Sequence, residues 1–154
     1  MTTEKTSFVY VTYIASTPEK VFEAITRPDI ASRYWGHENV SDWKPGSGWQ
    51  HVRANDARAV ELVGKVVEIA PPSRLVITWA ATSQAEDTDS YSRVTFDIAE
   101  YDDMVRLTVS HDDLIAGSGM ANGVSKGWPV VLSSLKSFLE TGRALDVFAK
   151  PKAA

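Results

Sequence analysis

Cysteine is absent from all 154 residues, and with it go disulfides, thiolate zinc sites and a cysteine nucleophile. Such a chain suits a reducing compartment. Long apolar runs are missing too: nothing approaches the roughly 18 residues of a membrane span, and the opening MTTEKTSFVY lacks the apolar stretch of a signal peptide. The expected location is the cytoplasm, with no membrane span. Positive charge is in deficit, with 16 Lys and Arg against 20 Asp and Glu for a net charge of −4. No basic field is available to neutralise phosphates, so nucleic acid is not expected as a partner.

Histidine is sparse. His37, His51 and His111 are the only three, and neither H-x-x-x-H nor H-x-H occurs, so no metal site is expected. There is no G-x-S-x-G elbow, and the strings Gly46-Ser47-Gly48 and Gly117-Ser118-Gly119 lack the Lys and Ser/Thr order of a phosphate-binding loop. The first string reads as a hairpin turn and the second as a flexible lid; no cofactor is implied. Asp102-Asp103 and Asp112-Asp113 fall at turn positions, where Asp caps its own backbone, rather than as the paired carboxylates of a hydrolase.

What is present is an ordinary globular composition, 44% hydrophobic and 23% charged, in a length that suits one domain over residues 1–154 with an ordered core at about 7–142. Residues 1–6 and the tail after Gly142 are polar or aperiodic and read as frayed. Ser7 to Ala15 alternates with the β-branched and aromatic content of a strand. Thr17-Pro18-Glu19 gives a hydroxyl cap, a proline at the first helical position and an acid in the first turn. Pro28 then separates this helix from a second short one ending at Gly36. From Trp49 the period becomes two, with strands expected over Trp49–Ala54, Arg58–Ile69, Arg74–Ala80, Tyr91–Ala99 and Met104–His111. Short connections make them antiparallel neighbours, dry on one face and wet on the other. After a Gly-rich loop over Asp112–Gly123 the period returns to 3.6, with Val124, Trp128, Val131, Leu132, Leu135, Phe138 and Leu139 on one stripe. Pro129 places the start of this helix near Lys126, or else kinks it. The fold class is therefore α+β: a curved antiparallel sheet of about six strands wrapped on a long C-terminal helix, with two short helices after strand one.

The strings ASTPEKVFEAITRPDIASRYW, GKVVEIAPPSRLVITW, SRVTF with VRLTVSH, and GWPVVLSSLKSFLETG together resemble the SRPBCC (START-like, helix-grip) superfamily. Within it they are most similar to the branch named for the C-terminal domain of the activator of the heat-shock chaperone ATPase. The resemblance covers about residues 8 to 142 and implies a two-layer helix-grip fold with a cavity for apolar or amphipathic small molecules between sheet and long helix. Pro129 and the Gly-rich stretch before it depart from the pattern.

On the facing pattern, the implied cavity would be lined by Phe96, Leu107, Val109 and His111 from the sheet, Trp128, Leu132 and Leu135 from the helix, and Trp35 and Trp79 near the ends. Plain core packing explains each of these residues as well. His111 would orient a ligand through a hydrogen bond, or else be a satisfied core histidine. Glu61 and Glu68, with Lys65, interrupt an apolar strand and would either aim a charge into the cavity or face solvent. The leading expectation is a non-enzymatic binding protein for a lipid-like, aromatic or polyketide-like molecule. A cyclase, dehydratase or hydrolase would use the same cavity, with His111 or Glu61 as acid or base. The branch name implies a third role, a chaperone contact in a stress response; the sequence shows no second apolar stripe to serve it.

Overall fold

The computed structural model describes residues 4–55 and 57–145. β1 (Lys5–Ile14) leads into α1 (Pro18–Thr26) and α2 (Pro28–Trp35), and then β2 (His37–Ser41), β3 (Gly48–Arg53), β4 (Val60–Ala70), β5 (Arg74–Ala81), β6 (Ser92–Tyr101) and β7 (Met104–Ile115) precede α3 (Gly119–Thr141). Every pairing is antiparallel, in the order β1-β7-β6-β5-β4-β3-β2. The chain crosses only once from one edge of the sheet to the other, through α1 and α2. The local signals for that crossing are in place: Thr17 Oγ1 accepts from the Lys20 amide at 3.3 Å, Pro18 and Pro28 open the two helices, and Gly36 closes the second with φ 69°.

One apolar face of the sheet is closed by α3. Leu75 and Ile77 of β5, Phe96 and Ile98 of β6, and Leu107 and Val109 of β7 are buried, and so are Val131, Leu132 and Leu135 of α3. Antiparallel partners bring same-face residues together in rows such as Leu75, Phe96, Val109 and Tyr10, the arrangement in which cross-strand pairs stabilise a sheet. Gly64 marks a close approach within the sheet. A Cβ there would stand 1.9 Å from the Thr78 carbonyl oxygen and 2.5 Å from the Trp49 indole nitrogen, and that indole donates to the same carbonyl at 2.6 Å.

Several elements differ from the sequence expectation, each for a physical reason. The sheet has seven strands, because His37–Ser41 forms β2 against β3; its inward residue Asn39 is buried but polar, so no apolar alternation announces it. β1 begins at Lys5, paired to Ile115, rather than inside a frayed segment 1–6, and Ala116 donates to the Glu4 carbonyl; residues 1–3 lie outside the described residues. The tail after Gly142 is tied down as far as Leu145, whose amide donates to Ser134 Oγ at 3.2 Å; 146–154 lie outside the described residues. The Gly-rich stretch is a loop only over residues 116–118. β7 runs on to Ile115, Ser118 caps α3 by accepting from the Ala121 amide at 3.1 Å, and the helix continues through Pro129. Finally, the solvent side of β1 is not wholly wet: Val9, Val11 and Tyr13 are 56%, 45% and 39% exposed, with Tyr101 set edge-on to Tyr13 at 5.0 Å. That strip is a second apolar stripe, where the sequence reading expected none: β1 carries apolar residues on both faces, a pattern that reads as a strand buried on both sides.

Candidate functional site

A cavity of about 460 Å³ opens between the β2–β3–β4 end of the sheet and the first half of α3, within the range of small-molecule pockets. Its wall is aromatic. Trp35 closes α2, Trp79 comes from β5 and Trp128 from α3, with ring centroids 5.7 Å apart for Trp35 and Trp128 and 5.5 Å for Trp79 and Trp128. The roof is glycine. Gly119, Gly123 and Gly127 recur every four residues on one face of α3, and a Cβ built on any of them meets nothing within 4 Å. In an α-helix that spacing stacks residues one above another on a single face. Three absent side chains therefore leave the space open.

The polar part of the wall sits on β2, β3 and β4. His37 and His51 lie on adjacent strands with their rings stacked face to face, centroids 4.4 Å apart and planes 6° from parallel. The amide nitrogen of Asn39 donates to the Ile25 carbonyl at 2.8 Å, leaving its oxygen to accept from His51 Nδ1 at 2.7 Å. Burial, and secondarily the charge of His37, push His51 well below the ordinary histidine value. His37 directs Nδ1 at the Trp35 carbonyl, 3.1 Å away, and Nε2 at the carboxylate of Glu61. Glu61 reaches this point through a β-bulge: His51 faces Leu62 and Val52 faces Val60, so Glu61 is the extra residue, and bulges re-aim side chains in this way. Burial raises the Glu61 carboxyl, but the contacts with His37 and then Arg53 outweigh it and hold the group below the usual carboxylate range. Among the described residues no group of three or more His, Asp or Glu is arranged to hold a metal ion. The two imidazoles are stacked, and three of their four nitrogens are already engaged with protein.

The structure divides the residues singled out from the sequence into two sets. Trp35, Trp79 and Trp128 border the cavity, and so does Glu61. Phe96, Leu107, Val109, Leu132 and Leu135 sit in the packed core, all 2% exposed or less, in one cluster with the buried residues of α1 and α2. His111 is 0% exposed. The Trp128 indole donates to His111 Nδ1 at 3.0 Å, and His111 Nε2 meets Ser92 Oγ at 2.7 Å, which in turn donates to the Trp79 carbonyl at 3.1 Å. Both nitrogens are engaged and burial lowers its pKa to about 4. His111 is thus a neutral strut that fixes two cavity tryptophans from behind. Glu68 pairs with Arg74 on the surface at 3.1 Å, and Lys65 is exposed. The residues that sequence reasoning passed over are His37, His51, Asn39 and the three glycines. The usable signal was glycine at a spacing of four, within the stripe of the long helix.

The comparisons with known proteins agree with this architecture. A family model described as Activator of Hsp90 ATPase homolog 1-like protein matches residues 15–140. The solution structure of the Aha1 dimer from Colwellia psychrerythraea is 20% identical with a TM-score of 0.75, covering 90% of this chain and 99% of that one. The crystal structure of CalU16 from Micromonospora echinospora is 22% identical with a TM-score of 0.68, covering 88% and 77%. That of PFC0360w, an HSP90 activator from Plasmodium falciparum, is 22% identical with a TM-score of 0.65, covering 79% and 86%. No curated protein matches the chain significantly, and no helix among the described residues is long and apolar enough to cross a membrane. With a family pattern spanning most of its length and a helix-grip fold shared with these structures, the chain belongs to the Activator of Hsp90 ATPase homolog 1-like family of the SRPBCC superfamily.

Proposed function

We propose that this protein binds a small apolar or amphipathic molecule in the cavity beneath the first half of α3. The observation that carries this reading is the glycine roof. Glycine in a helix interior is less favourable than alanine by about 1 kcal/mol, and here it leaves the aromatic wall uncovered rather than admitting another element. Aromatic faces supply affinity through buried area, and the polar wall fixes orientation. Turnover is not needed to explain this geometry, and His111, the first choice as acid or base, has no free nitrogen to offer a substrate.

The test is binding of N-phenyl-1-naphthylamine, an apolar fluorescent probe, followed by displacement with flavonoid-like, ketide-like and fatty acyl compounds. Gly123→Leu, which places a side chain in the open space, should abolish probe binding while the fold persists by circular dichroism. Undiminished binding to Gly123→Leu would place the ligand elsewhere and remove the proposal.

A second reading follows the family and its Hsp90-activator relative: contact with an Hsp90 chaperone. The exposed strip of Val9, Val11 and Tyr13 favours it, since patches of this kind mark interaction surfaces. Amide shifts confined to β1 on adding purified Hsp90 would support this contact, and an unperturbed spectrum at tens of micromolar chaperone would count against it.

A further inference from the structure

The chemistry of a free side-chain nitrogen on the cavity wall, His51 Nε2, narrows what the ligand must carry; this step rests on the small-molecule reading above. Asn39 fixes the state of His51. Because its amide nitrogen is committed to the Ile25 carbonyl, only its oxygen faces His51 Nδ1, and an amide oxygen can only accept. The ring hydrogen is therefore on Nδ1, and a neutral imidazole of that tautomer has a lone pair at Nε2. Burial keeps the ring neutral at pH 7. No protein hydrogen bond is made at Nε2, yet no sealed unpartnered side-chain nitrogen or oxygen exists among the described residues. Nε2 accordingly touches accessible space, and the space His51 borders is the cavity. The residue as a whole is 4% exposed, so bulk water does little to satisfy it.

The surroundings favour a flat partner. His51 is flanked by the ring of Trp35 at 4.7 Å, that of Trp79 at 6.0 Å and that of His37 at 4.4 Å. Glu61, on the same wall, adds a carboxylate whose two oxygens are engaged with His37 and Arg53. The Nε2 lone pair repels a carbonyl or an ether oxygen and rewards a donor. We infer that His51 Nε2 is the orienting acceptor of the cavity, and that the ligand is a planar aromatic molecule carrying a hydroxyl or ring N–H donor. A site built to bond such a donor discriminates against the analogue that lacks it, because its buried acceptor is then left unmet.

The matched probes are 2-naphthol and 2-methoxynaphthalene, titrated into the full chain by calorimetry with the histidine ¹⁵N spectrum recorded alongside. The expected result is about tenfold tighter binding of the naphthol, or ~1.4 kcal/mol, with the His51 Nε2 resonance moving upfield for the naphthol alone. In His51→Phe the two affinities should converge to within about twofold, the ether binding as before. If that variant does not fold, the wild-type affinity ratio and Nε2 resonance decide the matter by themselves. Equal affinities with an unmoved Nε2 resonance would overturn this inference and leave the cavity reading standing. Preference for the naphthol persisting in folded His51→Phe would assign the acceptor role to another group and overturn it too. Failure of both compounds to bind up to their solubility would sink the cavity reading and this inference with it.

Discussion

Replacing Gly123 and Gly127 by alanine should make the protein more stable and its cavity less receptive. Both lie inside α3, neither has a positive φ, and a Cβ on either meets nothing within 4 Å. No strain or clash therefore offsets the intrinsic gain of alanine over glycine in a helix, about 1 kcal/mol at each site. The two methyls stand one turn apart, ~5–6 Å between Cβ atoms, so the gains should nearly add to roughly 2 kcal/mol, and for a chain of this size that is a rise in Tm of about 4–8 °C. Each methyl removes a volume comparable to one water's share, ~30 Å³. Out of about 460 Å³ this loss trims the site without closing it, so probe affinity should fall a few-fold while stability rises. Urea denaturation and calorimetric Tm, paired with probe titration, measure both quantities on the same samples. A double variant that is no more stable, or less so, would show that the space above these glycines is filled in solution, and the roof argument would fail.

Other outcomes follow from the same structure. Gly64→Ala should destabilise by about 3 kcal/mol or more, since its Cβ would collide with the Thr78 backbone oxygen at 1.9 Å and separate strands cannot yield cheaply; a urea midpoint unchanged from wild type would contradict the close approach. Trp128→Phe keeps an aromatic ring but removes the donor to His111 Nδ1, leaving a fully buried acceptor unmet at a loss of about 1–3 kcal/mol; a loss under 0.5 kcal/mol would mean the bond contributes nothing net. Acid should weaken the fold well before carboxylates titrate. His111 is held at about 4 against an ordinary 6.5, so the unfolded chain takes up the proton first; stability is complete above pH 6.5 and declines by about 3 kcal/mol as pH falls from 6.5 to 4. His51, also held low, adds in the same direction. Equal urea midpoints at pH 7.5 and 4.5 would refute the buried neutral state.

Much of the fold was readable because its signals are local. Thr17-Pro18 and Pro28 announce two helices through backbone chemistry that needs no tertiary context, and Val94, Phe96 and Ile98 alternate so regularly that only a half-buried strand fits. β2 was not readable, because its inward residue Asn39 is a polar group satisfied by partners distant in sequence, Ile25 and His51. Periodicity could say that His111 points inward but not that Ser92 and Trp128 would occupy both its nitrogens. The cavity was harder still. Facing patterns tell which side of a sheet is dry; they do not tell which stretch of that side a helix presses against and which it spans without touching. That depends on the register of α3, and Pro129 drew its expected start downstream, past two of the glycines that matter.

α3 is, in effect, two helices of different temperament joined end to end. From Val131 onward it is riveted to the sheet by Val131, Leu132 and Leu135, while in the preceding three turns only Val124 and Trp128 are buried. Few apolar contacts and three glycines make that front portion the part most ready to fray, since local opening follows sparse burial. The portion that frays first is also the lintel over the cavity. On the proposed small-molecule reading, entry and exit of a guest would proceed by transient melting of a few turns while the rest of the molecule keeps its integrity, so exchange rates at the doorway and global stability would be free to evolve independently of one another.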